Sequence, residues 1–318
     1  MRSLSYSVAL AAFTLAACDP PAEGPPAIAP LAPVARVETP TSGCPSRIPP
    51  RTALANVAPP PGWIVVPAPA QGSETLACAN LARREWMVSI GSGQGVDIAE
   101  RTNVTREDAP LPFTIPASPK NLREHLAGRR HSLAVDGGYL VGFDAGEHGG
   151  ALWWFTQTGD KRVQLADVNI VGLTELRVGV VALSGLAHLG MSEGKILRVT
   201  RDGHAHEGRE TWSAAPWIDM HGAVEAFVRE SPESMLVLST TGLDRVTACG
   251  DVTRIATTNY DVLYPTSIAL DPNGVVYIGM RQFITRFTPT SEGYREEWLT
   301  REDCPLLVRK KFECSCHH

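Results

Sequence analysis

The residues best suited to chemistry lie in the segment FDAGEHGGALWWF, between two apolar runs. Asp144, Glu147 and His148 stand there among three glycines. Two carboxylates and one imidazole can bind a divalent cation, and they can also serve as an acid–base pair. Carboxylates and glycines are also common in exposed turns, so a solvated loop without a ligand is the competing interpretation.

Other candidate ligands stand where predicted strands begin. His131 precedes one apolar run, and Asp219 and His221 precede another. Loops that enter strands can converge at one end of a sheet, so these side chains are predicted to join a ligand site. A hydrogen bond between a loop histidine and the backbone is the alternative. His204 and His206 would share one face of a strand and suit a metal, although a polar turn fits the same segment.

No motif in the chain assigns a catalytic residue. The serine-hydrolase elbow, the phosphate loop and the zinc-protease motif His-Glu-x-x-His are all missing from the sequence. A divalent cation is the one cofactor that the candidate residues suggest. The terminal Cys314, Cys316, His317 and His318 would suit zinc or copper as soft ligands, but in an oxidising compartment the two thiols would form disulfides instead.

The first 20 residues resemble the start of a bacterial lipoprotein. Arg2 is the only charge before Asp19, and the apolar run between them is too short for a membrane-spanning helix, which needs about 20 apolar residues. Leu15-Ala16-Ala17-Cys18 is similar to the lipoprotein box. The resemblance implies a signal peptide over residues 1–17 and acylation of Cys18, which would anchor the protein to a membrane of the cell envelope. An ordinary cleavable signal is the alternative, and the choice between inner and outer membrane stays open.

A proline-rich and alanine-rich linker is predicted over residues 18–60. The stretch from Asp19 to Pro61 holds 13 prolines in 43 residues, more than half of the 25 in the chain. Proline fixes φ and removes a hydrogen-bond donor, so this stretch should act as an extended stalk rather than a packed element. A proline-rich ligand for a partner domain is the alternative. The folded domain is therefore expected over residues 61–318.

Composition excludes one class of partner and suggests the compartment. The net charge is only −5, with 29 basic and 34 acidic residues and no basic stripe, so no nucleic-acid partner is expected. With Cys18 assigned to lipid, an even number of cysteines remains, which favours disulfides in an oxidising compartment. Their pairing stays open, and the six are Cys44, Cys78, Cys249, Cys304, Cys314 and Cys316.

A repeat of short strands organises the folded part. The segments that start at His131 and Thr266 each contain an apolar strand, an Asp-Gly type corner, a second strand and a third, alternating strand. A third copy starts at Ala223 and a weaker one at Leu176. Equivalent first-strand positions are spaced by 45, 46 and 44 residues, and they are Leu133, Val178, Val224 and Ile268. A further repeat of 45 residues before Leu133 would place Val88 at the equivalent position.

Four short strands every 40–50 residues are typical of β-propeller blades, because radial stacking covers both faces of each sheet. The segment PTSIALDPNGVVYIG, which contains Asp271 and Asn273, resembles blades of the NHL and gluconolactonase-like propellers. We therefore predict an all-β propeller of about six four-stranded blades, six or seven. A pair of β-sandwiches is the alternative fold. Gluconolactonase-like enzymes hold a metal ion at the mouth of the propeller channel, but Asp271 and Asn273 match only a turn and not the metal ligands of those enzymes.

Two functions from different classes follow. The first is a lipid-anchored, non-catalytic binding module of the cell envelope, with a protein or glycan as its partner. The second is a metal-dependent hydrolase or lactonase on the same fold. The binding module is favoured because no catalytic constellation can be assigned, and fold alone does not determine function.

Overall fold

Short runs of β-branched and aromatic residues, separated by glycine, proline and aspartate, form antiparallel sheets along the chain. The computed structural model describes residues 52–82, 84–101, 110–115, 125–202, 211–310 and 313–317, all within one unit of residues 34–318. Strands dominate this part of the chain, as their residue types favour.

Three four-stranded sheets follow one another, each with its strands paired in chain order. The first contains β4 (Arg129–Val135), β5 (Gly138–Asp144), β6 (Gly150–Thr156) and β7 (Arg162–Ala166). The second contains β8 (Ile170–Leu176), β9 (Gly179–His188), β10 (Met191–Asp202) and β11 (Thr211–Met220). The third contains β12 (Val224–Ser231), β13 (Ser234–Ser239), β14 (Gly242–Thr247) and β15 (Val252–Thr257).

A fourth sheet joins strands from distant parts of the sequence. It contains β16 (Ser267–Leu270), β17 (Val276–Gly279), β18 (Ile284–Thr290), β19 (Gly293–Arg301) and β1 (Trp63–Val66). The early strand β1 pairs antiparallel with β19, with Trp63 opposite Arg301. This pairing ties the first described strand to the last complete sheet.

Two hairpins, one α-helix and two 3₁₀ turns (Gly146–His148 and Asp261–Leu263) complete the described elements. The hairpins are β2 (Trp86–Ile90) with β3 (Val96–Glu100), and β20 (Leu306–Lys310) with β21 (Glu313–His317). Helix α1 (Glu74–Leu81), which the sequence patterns did not predict, begins at Ser73, whose Oγ accepts a hydrogen bond from the amide of Leu76 at 3.2 Å. None of the described helices is long and apolar enough to cross a membrane.

The sheets are arranged around a common channel. The first strands β4, β8, β12 and β16 are edge strands of their sheets, and each lies beside the next, with β2 beside β16. One cavity is lined by residues of all five strands. The all-β propeller is therefore confirmed. The described residues form six sheets when both hairpins are counted, in rough agreement with the predicted number, and five of these sheets reach the channel.

Apolar cores fill the seams between neighbouring sheets, as radial stacking requires. One core joins the first and second sheets through Leu140, Trp154 and Val180, and others join the second to the third and the third to the fourth. Adjacent tryptophans Trp153 and Trp154 point to opposite faces of β6, and each is at most 6% exposed. They are core residues rather than a stacking platform for a sugar.

The sequence repeat matches the sheets except in its weakest copy. Leu133, Val224 and Ile268 lie in the first strands β4, β12 and β16, as predicted. Val178 lies in the turn between β8 and β9, so its assignment to a first strand is wrong. The second sheet has long strands β9 and β10, which lengthen this unit and shift the apparent period.

Candidate functional site

The channel opens at the end of the ring where the innermost strands begin. A cavity of about 320 Å³ lies there, within the size range of small-molecule sites. Its lining residues come from five sheets: Met87 from β2; Arg129, His131 and Ser132 from β4; Val171, Gly172 and Leu173 from β8; Glu225, Ala226 and Phe227 from β12; and Thr266, Ser267 and Ile268 at β16. We call this cavity the channel mouth and the end of the ring that contains it the mouth face.

A small residue allows two sheets to meet at the channel mouth. A Cβ atom on Gly172 would overlap the aromatic ring of Phe227 across the seam between β8 and β12. Any larger residue at position 172 would therefore push β8 and β12 apart. Close approach of the strands is what gives the channel mouth continuous walls.

Glu225 is the chemically distinctive group of the channel mouth. It stands in the alternating strand β12, between the buried residues Val224 and Ala226. Burial of its carboxylate raises the pKa of Glu225 from its ordinary value of 4.5 to about 7, and the negative charge of Asp144 contributes to the rise. A carboxyl group with this pKa can donate or accept a proton near neutral pH.

Sequence reasoning missed Glu225 because a charged residue in an alternating strand is usually exposed to solvent. The alternation correctly predicts that Glu225 points away from the apolar cores of its sheet. It cannot show that this direction leads into a channel formed by four other sheets. A charged residue near the start of a predicted innermost strand is the signal that would have singled it out.

A second cavity, of about 280 Å³, lies at the seam between the first and second sheets. Asn169 and Ser184 are its buried polar residues, at 5% and 8% exposure. Its charged and imidazole side chains are His125, Asp167, Glu193 and Lys195. We call it the seam cavity.

The two cavities are close neighbours on the mouth face. Asn169 lines the seam cavity, and Val171, two residues later, lines the channel mouth. Two residues of a strand span about 7 Å, so the start of β8 forms a wall between the cavities.

The predicted residues Asp144 and His131 lie at this face. Asp144, at the end of β5, lies opposite Arg129, at the start of β4, in the backbone register of the two strands. His131 lines the channel mouth. Asp144 has a structural task, because its Oδ1 accepts a hydrogen bond from the amide of Gly146 at 2.9 Å. It also acts electrostatically on Glu225.

Glu147 and His148 form a 3₁₀ turn (Gly146–His148) on the same face. Glu147 Oε2 lies 2.8 Å from Nδ1 of His188 at the end of β9, and Glu147 Oε1 lies 3.7 Å from Nε2 of His148. His188 was not among the candidates predicted from the sequence. Its contact with Glu147 depends on the proximity of the β5–β6 loop and β9, two segments that belong to different sheets.

Asp219 and His221 are exposed to solvent and do not line either cavity. Asp219 stands opposite Lys195 in the β10–β11 pair, and the carbonyl of His221 accepts a hydrogen bond from Thr241 Oγ1 at 3.4 Å. His204 and His206 lie outside the described residues. In the part of the chain that the structure describes, no three His, Cys, Asp or Glu side chains are already arranged as a metal site.

The cysteines near the end of the chain form disulfides. Cys78 in α1 is bonded to Cys314, and Cys304 is bonded to Cys316. Cys249 is also disulfide-bonded, while Cys18 and Cys44 lie outside the described residues. Disulfides indicate an extracytoplasmic protein. Cys314 and Cys316, which are separated by one residue, have different partners.

Comparison with known proteins gives matches among solved structures only. No known protein-family profile matches the chain, and no curated protein matches it. A luciferin-regenerating enzyme aligns with 57% of the chain at 10% identity, with a TM-score of 0.36. A streptogramin B lyase aligns with 52% at 13% identity and a TM-score of 0.34, and a virginiamycin B lyase from Staphylococcus aureus aligns with 74% at 13% identity and a TM-score of 0.37. The alignments cover 66%, 52% and 73% of those three chains.

Proposed function

We propose that the protein is a lipid-anchored binding protein of the bacterial cell envelope whose propeller receives a glycan or protein ligand at the channel mouth. The observation that carries the proposal is the cavity lined by five sheets, where polar and charged side chains stand beside apolar ones. Such mixed linings are typical of sites that orient a ligand through a few polar groups. The neighbouring seam cavity favours an elongated ligand over a compact one.

The test is binding of the full protein to an array of oligosaccharides and peptides derived from bacterial envelopes. Thr266→Trp would fill the channel mouth, because Thr266 is a half-buried lining residue. We expect it to weaken binding by roughly tenfold or more, equivalent to about 1.4 kcal/mol. Glu292→Trp adds the same indole side chain at an exposed turn at the opposite end of the propeller and should leave binding unchanged. Equal binding by the protein and its Thr266→Trp variant would contradict the proposal.

The lipid anchor has its own test. Cells that express the chain with labelled palmitate should incorporate label into the protein, and Cys18→Ser should abolish incorporation and move the protein into the aqueous phase of a detergent partition. Palmitate incorporation by the Cys18→Ser variant would exclude Cys18 as the acylated residue.

A hydrolase or lactonase is the second candidate function, and Glu225 is the observation that favours it. Its pKa of about 7 and its position in the channel mouth suit a general acid or base. A panel of lactones and esters assayed across pH 5–9 tests this candidate. Activity that Glu225→Gln removes, with an unchanged fold by circular dichroism, would replace the binding module as the proposed function.

A further inference from the structure

An exposed aromatic ring lies beside the channel mouth. Tyr264, in the connection between β15 and β16, is 50% exposed, and it is the one exposed aromatic residue in the part of the chain that the structure describes. Thr266, two residues later, lines the channel mouth, so the two α-carbons are no more than about 7 Å apart. We propose that Tyr264 is a stacking platform for a sugar ring of a glycan bound at the channel mouth. This role rests on the proposed binding function and commits it to a glycan ligand.

The backbone conformation at Tyr264 does not favour a tyrosine. Its φ of 51° and ψ of 68° lie in the left-handed region, which suits glycine or asparagine and is costly for a bulky residue. The side chain gives no core packing in return, because it belongs to none of the apolar cores of the described residues. Strained backbone of this kind is concentrated at functional sites. A role at the surface therefore explains why a tyrosine stands here.

The ring is held in one orientation before a ligand arrives. The guanidinium carbon of Arg281 lies 4.0 Å from the centroid of the Tyr264 ring, in a cation–π contact. Arg281 is itself fixed at both ends, because its Nη1 donates to the carbonyl of Asn80 at 2.8 Å and its amide donates to the carbonyl of Leu263 at 2.8 Å. A ring fixed in this way loses little conformational entropy when a ligand binds.

The chemistry of the surroundings fits a sugar. The face of an aromatic ring carries partial negative charge, which attracts the weakly positive C–H bonds on the apolar face of a sugar ring. Arg281 covers one face of the Tyr264 ring, so the opposite face remains for such a contact. The channel mouth beside it supplies groups that can hydrogen-bond to sugar hydroxyls, among them Ser132, Glu225 and Thr266.

The experiment compares Tyr264→Asn and Tyr264→Phe with the unmodified full protein on an array of oligosaccharides and peptides. The oligosaccharides are peptide-free fragments of alternating N-acetylglucosamine and N-acetylmuramic acid, and core oligosaccharides of lipopolysaccharides. Asparagine tolerates the left-handed backbone, so Tyr264→Asn removes the ring without adding strain. We expect oligosaccharide binding to weaken about tenfold or more in Tyr264→Asn and by less than about threefold in Tyr264→Phe, which keeps the ring.

Urea denaturation separates a platform from a structural role of the ring. A platform predicts that Tyr264→Asn unfolds at an equal or higher urea concentration than the unmodified protein, because the substitution relieves the left-handed strain. Weaker binding together with a lower unfolding midpoint would assign the effect to the fold and overturn the proposal.

Equal oligosaccharide binding by the protein and Tyr264→Asn would also overturn the proposal, as would an array on which only peptides bind. Failure of the platform can be distinguished from failure of the proposed binding function. If Thr266→Trp weakens oligosaccharide binding and Tyr264→Asn does not, the channel mouth is the ligand site and Tyr264 takes no part in it.

Discussion

The two ends of the propeller ring differ in the charged residues that lie at their seams. On the face opposite the mouth face, which we call the base face, ion pairs bridge the seams. Arg201 pairs with Asp136 between the first and second sheets at 3.3 Å, and Arg177 pairs with Glu233 between the second and third. On the mouth face, Glu147 pairs with His188 across the first and second sheets at 2.8 Å, and the negative charge of Asp144 helps to raise the pKa of Glu225. The base face is built for stability, and the mouth face keeps groups that a ligand or proton can engage.

Each face has connections of different lengths. On the base face, the turn at Asp271 is closed by a hydrogen bond from the amide of Val275 to Asp271 Oδ1 at 2.8 Å. The mouth face has the two-residue turns 189–190 and 240–241 as well as the longer connection of residues 258–266 between β15 and β16.

The largest expected effect is at the base face. Arg245 binds Glu230 through two nitrogens at 2.8 and 3.0 Å, and its Nη2 donates to Tyr294 Oη of the fourth sheet at 3.3 Å. The Glu230 side chain is only 6% exposed, so Arg245→Met would remove the positive charge that neutralises a buried carboxylate, although the hydrogen bond from Ser234 Oγ to Glu230 Oε2 at 2.8 Å would remain. We expect a loss of about 3–5 kcal/mol in the free energy of unfolding, measured by urea denaturation.

The matched control for Arg245→Met is the double variant Arg245→Met/Glu230→Met. It removes both charges and should recover most of the lost stability. A loss below about 1 kcal/mol in the single variant would show that this pair contributes no more than an exposed one.

The next effect concerns pH dependence at the channel mouth. Because the pKa of Glu225 is raised to about 7, the folded state holds the proton more tightly than the unfolded state does. The resulting stabilisation is fully present below pH 4.5 and is lost as the pH rises through 7. Between these limits, the stability of the protein relative to Glu225→Gln should fall by at most about 3 kcal/mol, measured by denaturation at several pH values.

Asp144→Asn sharpens this experiment. An asparagine keeps the side-chain oxygen that accepts from Gly146 and removes the charge that repels Glu225. The midpoint of the pH dependence should move to lower pH. The shift should be partial, because burial is the larger cause of the raised pKa. Identical pH profiles for the protein and Glu225→Gln would refute the assignment to Glu225.

A moderate effect is expected where the mouth loop is anchored. Asn169→Ala removes the hydrogen bond to the carbonyl of Gly146 at a position that is 95% buried. We expect about 1–2 kcal/mol of destabilisation in urea denaturation, because the carbonyl of Gly146 would lose its hydrogen bond from Asn169. An unchanged free energy of unfolding would show that this hydrogen bond does not anchor the loop.

The smallest effect returns to the base face. Asp136→Asn breaks the ion pair with Arg201, in which the side chains are 43% and 32% exposed. Solvent screens such a pair, so the loss should be below about 1 kcal/mol in thermal or urea denaturation. A larger loss would indicate that the surface pairs of the base face act as a network.

The sequence by itself determined the strands, the radial fold and the compartment. Periodic runs such as those around Leu133 and Ile268 predict the sheets, because apolar residues within a strand occur at the positions that become buried. The even number of cysteines left after Cys18 similarly anticipated disulfides, although which cysteines pair depends on contacts such as that of α1 with β20. The presence of α1 itself was missed, since its eight residues carry little periodic signal.

Only the tertiary structure decided which candidate residues meet. Packing of the sheets around the channel turned Glu225 into a channel residue, brought His188 to Glu147, and left Asp219 and His221 exposed. These outcomes depend on contacts between sheets that are distant in sequence. Local patterns contain the direction of a side chain along its own strand, but they contain no information on which other strand lies across the seam.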